Sequence, residues 1–440
     1  MHRYRASFSI HCTHSLISAV MGLMLCIGHH ATGQNLVIKN AKVISMATAP
    51  SPSLSNILII NGRIAFVGEI LPHFDSHIQV VDAQGDYVLP GLSDMHVHLP
   101  ELPDIDSMLA NHIAAGVTQI RVMNSTADQA STVIGHVRSN CLIRPKIYYS
   151  HIVRKQTKLT EQQADSLMRD VIKNGLSFIK LYGLSDEPTF DALMSASKQH
   201  HVTICGHYPR YAQDGKWKYV PMEKVLKSGF KSIEHLAGYD MVDNDSLLEH
   251  YISITQQYGV YNCPTLDWDI MAYDLQYPDA YKQRLSYKIL PEKWLTAWEQ
   301  RYKASIEKAG GADKVLKDRD KYLPKFRRKQ QVLQMLHKHH CPLILGGDAG
   351  NVFQADGFNL YDEMRNWAEA GLDNYSILQA ATANAARFFD EQPEWGTVEA
   401  GKLANLVLLK KNPLDKIDHI ATIYATVAEG KIYYKNQLVR

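Results

Sequence analysis

Apolar positions along this chain follow two different rhythms. Between about residues 35 and 87 they come as short, mostly β-branched runs: Leu36-Val37-Ile38, Ile57-Leu58-Ile59-Ile60, Ile64-Ala65-Phe66-Val67 and Ile78-Gln79-Val80-Val81. Runs of that length without a 3.6-residue repeat predict strands, and Asn61-Gly62 is the strongest hairpin signal in the chain. The far end repeats the pattern in Leu406-Val407-Leu408-Leu409, Thr426-Val427-Ala428 and Ile432-Tyr433-Tyr434, with Glu429-Gly430 as a turn. Two strand-rich ends around a different middle predict one small β domain built from residues 34–87 and 395–440.

The middle, 88–394, alternates. Short apolar strands such as Gln119-Ile120-Arg121-Val122, Ile147-Tyr148-Tyr149, Phe178-Ile179-Lys180-Leu181, Val202-Thr203-Ile204-Cys205, Ser232-Ile233, Gly259-Val260-Tyr261 and Leu343-Ile344-Leu345 are separated by helical stretches. Those include Asp106–Ala115, Glu161–Asn174, Thr189–Gln199 and Met222–Ser228, the first two followed at once by glycine stops. The expected class is α/β: a (β/α)8 TIM barrel with a small β-sandwich domain from both termini. The segment 267–329, rich in Tyr, Trp, Lys and Arg, breaks the rhythm and predicts a helical insertion, lid-like, before the last strand.

At the amino terminus, His2, Arg3 and Arg5 precede the short apolar run Leu16–Gly28, and Ala31-Thr32-Gly33 follows. That order predicts a signal peptide over 1–33, a mature start at Gln34, a periplasmic or secreted protein, and no stable membrane span after cleavage; an uncleaved anchor is the alternative. Cys26 reads as part of the apolar run. Of the other cysteines, Cys205, Cys263 and Cys341 fall in or beside apolar strand-like runs and Cys141 does not, so no structural disulfide is expected. With 47 Lys and Arg against 45 Asp and Glu, the net charge of +2 offers no footprint for nucleic acid. The expected partner is a small-molecule substrate. A homo-oligomer stays open.

Candidate chemistry begins at Val88-Leu89-Pro90-Gly91-Leu92-Ser93-Asp94-Met95-His96-Val97-His98-Leu99. In an extended strand, residues i and i+2 share a face, so His96 and His98 can turn two imidazoles toward one ion. In a barrel, functional groups sit at carboxyl ends of strands. Lys180 stands out in an apolar strand, His207 and His235 each follow one, and Asp348 follows Leu345-Gly346-Gly347. The intervals from Lys180 to His207 and from His207 to His235 are 27 and 28 residues, each about one strand-plus-helix unit. Singly, each residue has an ordinary structural explanation: a lysine reaching solvent, a packed histidine, an aspartate capping a helix. Together, metal-ligand residue types at successive strand ends point to a metal site.

These residues make the mature chain resemble the metal-dependent amidohydrolase superfamily, through Pro90-Gly91-Leu92-x-Asp94-x-His96-x-His98, Lys180, Gly206-His207, Ser232-Ile233-Glu234-His235 and Gly347-Asp348. Within it the chain looks most like the imidazolonepropionase-like and Xaa-Pro dipeptidase (prolidase)-like branch, through Gly371-Leu372, Ala380-Ala381-Thr382-x-Asn384-x-Ala386, Gly396-x-Val398-x-x-Gly401-Lys402-x-Ala404-Asn405-Leu406-Val407 and Asn412-Pro413-Leu414. The resemblance implies two divalent metal ions, usually zinc. His96, His98 and Asp348 would hold the buried ion, and His207 and His235 the outer one. Lys180, carboxylated by carbon dioxide or bicarbonate, would bridge them: an ammonium repels cations, whereas a carbamate is an anionic ligand. It further implies cleavage of an amide-type C–N bond in a dipeptide, N-acyl amino acid or cyclic amide. A metal-bridging hydroxide would attack, with Asp348 as general base and then acid.

Tyr208, directly after His207, is a candidate for stabilising the oxyanion, with rim packing as its alternative; Arg210 and Tyr182 are weaker candidates for substrate contact. One departure is Tyr361, where related sequences often carry histidine in a region that lies near the substrate, so dipeptide preference is less secure. Two competing readings stay open: a mononuclear deaminase or ring hydrolase on the same barrel, and an exported, non-catalytic metal-binding barrel.

Overall fold

The computed structural model describes residues 35–47, 51–140, 143–154 and 157–439. The expected signal segment 1–33 and Cys141 lie outside the described residues. The chain opens with β1 (Leu36–Val43), β2 (Ser53–Ile60), β3 (Arg63–Gly68), β4 (Gln79–Asp82) and β5 (Tyr87–Pro90). It continues with β6 (Leu92–Val97), β7 (Val117–Val122), β8 (Lys146–Val153), β9 (Phe178–Leu181) and β10 (Thr203–Gly206). Then come the hairpin β11 (Arg210–Gln213) and β12 (Lys216–Tyr219), followed by β13 (Ser232–Glu234) and β14 (Tyr261–Cys263). Three last strands, β15 (Leu406–Leu409), β16 (Ile423–Ala428) and β17 (Lys431–Tyr434), close the chain.

Strands β6, β7, β8, β9, β10, β13 and β14 pair in that order, all parallel, with helices in the connections. β6, β7 and β9 are buried at every position, as strands covered on both faces must be. The expected eighth strand, Leu343-Ile344-Leu345, makes only one bridge, Leu343 to Asn262. Its backbone still closes the cylinder: Ile344 N–H donates to Asn262 C=O at 3.0 Å on one side, and Met95 N–H donates to Leu345 C=O at 2.9 Å on the other. The architecture is a (β/α)8 barrel.

Element ends shift by local chemistry. The strand expected at Gly259-Val260-Tyr261 begins at Tyr261, because Gly259 (φ 64°) takes the left-handed cap of the helix Asp245–Tyr258. The helix Glu187–His200 starts two residues before the expected Thr189, because the Asp186 side chain caps it by accepting from Thr189 N–H at 3.0 Å.

Both chain ends contribute to a single eight-stranded sheet ordered β17-β16-β15-β5-β1-β2-β3, with β4 paired on β1. Its alternation explains a run that looked continuously apolar. Leu406 and Leu408 join the sheet's own core with Leu36, Ile57 and Val427, forming the small sandwich, while Val407 and Leu409 belong to the barrel's core. β15 is therefore buried on both faces. Gly116 (φ 84°) sits at this junction, where an added Cβ would come within 2.8 Å of Val407.

Between β14 and the closing strand, the chain forms helices Leu266–Ala272, Glu292–Lys308 and Ala312–Lys338. The last continues well past residue 329. No helix among the described residues is long and apolar enough to cross a membrane.

Candidate metal centre

Each expected site residue stands at the carboxyl mouth of the barrel. His96 lies in β6 and His98 just past its end, Lys180 in β9, His207 and His235 one residue beyond β10 and β13, and Asp348 three residues past Leu345. Backbone bonds fix their entry: His207 N–H donates to Leu181 C=O at 2.9 Å, His235 N–H to Cys263 C=O at 2.8 Å, and Asp348 N–H to His96 C=O at 2.9 Å. The glycines before Asp348 are required by space. A Cβ on Gly346 would lie 2.7 Å from both the backbone N of His96 and Sγ of Cys263, and one on Gly347 would lie 2.6 Å from Nδ2 of Asn359. His235 (φ 64°), Leu236 (φ 54°), Thr265 (φ 51°) and Asp348 (φ 47°) all adopt left-handed backbone, which costs a non-glycine residue about 1–2 kcal/mol each. Such strain persists only where surrounding contacts impose it.

One donor atom each from His96, His98 and Asp348 lies within 4.8 Å of the others. Oδ1 of Asp348 is 3.1 Å from Nε2 of His98 and 3.7 Å from Nε2 of His96. Nε2 of His235 and Nε2 of His207 are 3.2 Å apart, and Oδ2 of Asp348 is 3.7 Å from Nδ1 of His235. Two ligands on one tetrahedral zinc at about 2.0–2.1 Å stand about 3.3 Å from each other, so the separations of Asp348 Oδ1 from the two Nε2 atoms of His96 and His98, and of Nε2 of His207 from Nε2 of His235, suit shared ions. Protonation states agree. Burial holds His96, His207 and His235 well below the ordinary imidazole range, leaving neutral rings with lone pairs to offer.

Lys180 is buried, and among the described residues it has no hydrogen-bond or ion-pair partner. Burial pushes its ammonium below the usual lysine range, while Glu234 and Asp348 pull the other way. A buried amine with a lowered pKa is more often neutral, and the neutral amine is the form whose lone pair can attack carbon dioxide, losing a proton as the carbamate forms. The residues present fit a pair of divalent ions.

The profile of the amidohydrolase family matches residues 87–433. The chain belongs to that family. Sequence relatives match only in part: the dihydroorotase of Pelobacter propionicus is 37% identical over 97 residues, 21% of this chain and 22% of the dihydroorotase. An adenine deaminase of Clostridium botulinum is 34% identical over 65 residues, 15% of this chain and 11% of the deaminase. The chain thus aligns with under a quarter of the length of these relatives. Among solved structures, a Xaa-Pro dipeptidase with bound methionine superposes with a TM-score of 0.67 at 18% identity, over 91% of this chain and 100% of the dipeptidase. The bottromycin amidohydrolase gives 0.66 at 20%, over 95% and 91%, and molinate hydrolase 0.67 at 16%, over 92% and 96%. These likenesses are of fold.

In this amidohydrolase the six candidate ligands line one cavity of about 490 Å³, together with Tyr182, Tyr208 and Arg210. Tyr208 contributes its ring to the wall. Its hydroxyl donates to Val220 C=O at 2.6 Å, so the phenolic proton expected for an oxyanion is engaged elsewhere in this arrangement. Tyr182 lays its ring 4.6 Å from that of His207, and Arg210 stacks 4.6 Å over Trp217. Tyr361 is not part of the cavity wall: it is fully buried, with its hydroxyl donating to Ala115 C=O at 2.8 Å.

A second layer of side chains supports the candidate ligands. Asp94 accepts from His96 N–H at 3.1 Å and from Gly347 N–H at 2.9 Å, tying β6 to the Asp348 turn. Glu234 accepts from Nδ1 of His96 at 2.9 Å, and Nδ1 of His235 meets Oγ1 of Thr265 at 2.6 Å. Each of these bonds leaves an Nε2 facing the cavity. His96, Glu234 and Cys263 also gather donors. However, Arg121 already neutralises Glu234, and burial pushes the Cys263 thiol well up, so that cluster is poorly suited to an ion.

Proposed function

We propose that this protein is a binuclear metal-dependent hydrolase cleaving an amide-type C–N bond in a small molecule. The observation that carries the reading is the convergence of His96, His98, Lys180, His207, His235 and Asp348 on one cavity, with His96, His98 and Asp348, and His207 and His235, at ligand spacing. His96, His98 and Asp348 would hold one ion, His207 and His235 the other, and a carboxylated Lys180 would bridge them. Zinc suits three to four imidazoles with carboxylate-type oxygens. When bound, such ions polarise a carbonyl and bring the pKa of water toward about 7.

The chain's own part is proton handling and placement. Asp348 borders both histidine groups, so its carboxylate can take a proton from an attacking water and pass it to the departing nitrogen. Glu234 and Thr265 hold the rings of His96 and His235 in register. Arg154 and Arg210 line the cavity, and among the described residues neither has a carboxylate partner. A substrate with a free carboxylate, as in a dipeptide or an N-acyl amino acid, would meet that charge; this favours both over a neutral cyclic amide. The export signal over 1–33 belongs to the same proposal, with turnover outside the cytoplasm.

The test is a panel of dipeptides, N-acyl amino acids and cyclic amides on zinc-loaded protein, with metal content measured. Two ions per chain and hydrolysis in the panel, lost in Asp348→Asn while the fold remains, support the reading. One ion per chain, with Lys180→Ala still turning over, supports the mononuclear deaminase or ring hydrolase. Retained metal with no hydrolysis anywhere supports the non-catalytic barrel.

A further inference from the structure

The cavity has a feature that metal chemistry does not use. Three of the large hydrophobic side chains that stand substantially exposed on this protein, Tyr182 (43%), Met241 (50%) and Tyr273 (38%), all line it. Exposed aromatic surface beside a polar centre is stabilised by a ligand that covers it. The aromatic groups also form a continuous wall. The ring of Trp268 lies 6.2 Å from that of His235, the rings of Tyr273 and Trp268 meet edge to face with centroids 6.1 Å apart, and Tyr322 stacks on Tyr273 at 3.5 Å.

The wall is braced by polar bonds among residues that also line the cavity. The Tyr322 hydroxyl donates to Oδ1 of Asp269 at 2.7 Å, and Nζ of Lys329 donates to Oδ2 at 2.6 Å, so one buried carboxylate fixes both ring and helix. Trp268 lies in the first turn of the helix Leu266–Ala272, Tyr273 caps the end of that helix, and Tyr322 comes from the helix Ala312–Lys338. The Trp- and Tyr-rich segment of the sequence thus meets the site as one surface.

We propose that this wall is a subsite for an aromatic ring, and that the substrates are amides of small acids carrying such a ring close to the scissile bond. The inference rests on the hydrolase reading for its chemistry and on the wall alone for its ligand. Edge and face contacts with preorganised rings, added to burial, are worth about tenfold in affinity.

Matched pairs test it. Binding of 3-phenylpropionate and of propionate to zinc-loaded protein is measured by calorimetry, in wild type and in Trp268→Ala and Tyr273→Ala with equal metal content. The expected result is about tenfold tighter binding of the aryl acid. Each variant then loses most of that preference while propionate binding stays unchanged. Turnover of N-(3-phenylpropionyl)glycine against N-propionylglycine follows the same ratio in kcat/KM. Equal binding of the two acids, or a preference that both variants keep, overturns the subsite. Ring-dependent binding with no amide hydrolysed keeps the subsite and removes the hydrolase reading instead.

Discussion

Nδ1 of His96 donates to Oε2 of Glu234 at 2.9 Å, and Arg121 grips the same carboxylate through Nη2 at 2.9 and 2.8 Å. Ser232 donates to Oε1 of Glu234 at 2.6 Å and accepts from Arg121 at 2.9 Å, and the Arg121 Nε–H ends on Met95 C=O. All of these side chains are fully buried or nearly so. Glu234 thus accepts from His96 and from the paired Arg121, and its orientation dictates which nitrogen of His96 faces the cavity. Glu234→Gln keeps the shape and removes the charge. Zinc affinity, read by chelator competition, should fall about 10–100-fold, the range typical of such supporting partners. An unchanged affinity would show that packing alone orients the imidazole.

Lys180 makes a sharper separation. If a carboxylated Lys180 bridges two ions, cutting the side chain to alanine removes that anionic bridge, so metal content should drop from two toward one per chain. Elemental analysis of purified Lys180→Ala reads this directly. Short carboxylic acids added at millimolar levels should restore part of the second ion and of the activity. A variant that keeps both ions unaided would rule out a bridging carbamate.

The legible part of this molecule was the part written locally. The His96-x-His98 pair, the lysine inside Phe178–Leu181, and histidines directly after strands declare themselves within a few residues of their own element. What escaped was the support behind them, because its partners are distant: Glu234 lies 138 residues from His96, and 113 from Arg121. Yet the reasoning that singled out Lys180 applies equally to Arg121. It is a cation in the apolar strand Gln119-Ile120-Arg121-Val122, and in the structure it has no exposed surface. Glu234, an acid inside a buried three-residue strand, carries the same signal. Hairpin β11–β12 has an Asp214-Gly215 turn of the right chemistry, and Lys216-Trp217-Lys218-Tyr219 alternates polar and aromatic residues, but its partner Arg210-Tyr211-Ala212-Gln213 does not, so only half of the signal was there. Tyr361 shows the opposite error. A resemblance locates a position in a helix without saying which face of the helix that position occupies.

Tyr208 lies beside a histidine of the centre, yet its hydroxyl serves the Val220 carbonyl. Tyr208→Phe should therefore lower kcat by less than about tenfold, with a small loss of stability from the orphaned carbonyl. Removing a true oxyanion donor costs about 10²–10³ in kcat. Steady-state rates on whichever amide the panel identifies distinguish the two. A loss in the higher range would mean that the phenol leaves Val220 when substrate binds.

Arg284 ties the insertion to the barrel. Its guanidinium pairs with both oxygens of Asp267 at 2.7 and 2.8 Å and lies 3.1 Å from Asp362, with all three side chains buried. Asp362 in turn accepts from Leu285 N–H at 2.6 Å, and Glu363 accepts from the first amides of the helix Leu266–Ala272, at 2.9 Å from Leu266 and 2.6 Å from Asp267. That helix carries Trp268 and Asp269 into the cavity. Arg284→Met would strand two carboxylates away from water, and breaking a buried pair in this way costs about 3–5 kcal/mol. The expected outcome is a clearly lower melting temperature and a weakened binding of aryl acids before global unfolding, because the helix that bears Trp268 is released first. Replacing Asp267 with asparagine and Asp362 with leucine in the same chain should recover part of the stability, since the stranded charges are then gone. If Arg284→Met melts with wild type, contacts other than this charge cluster hold the insertion in place.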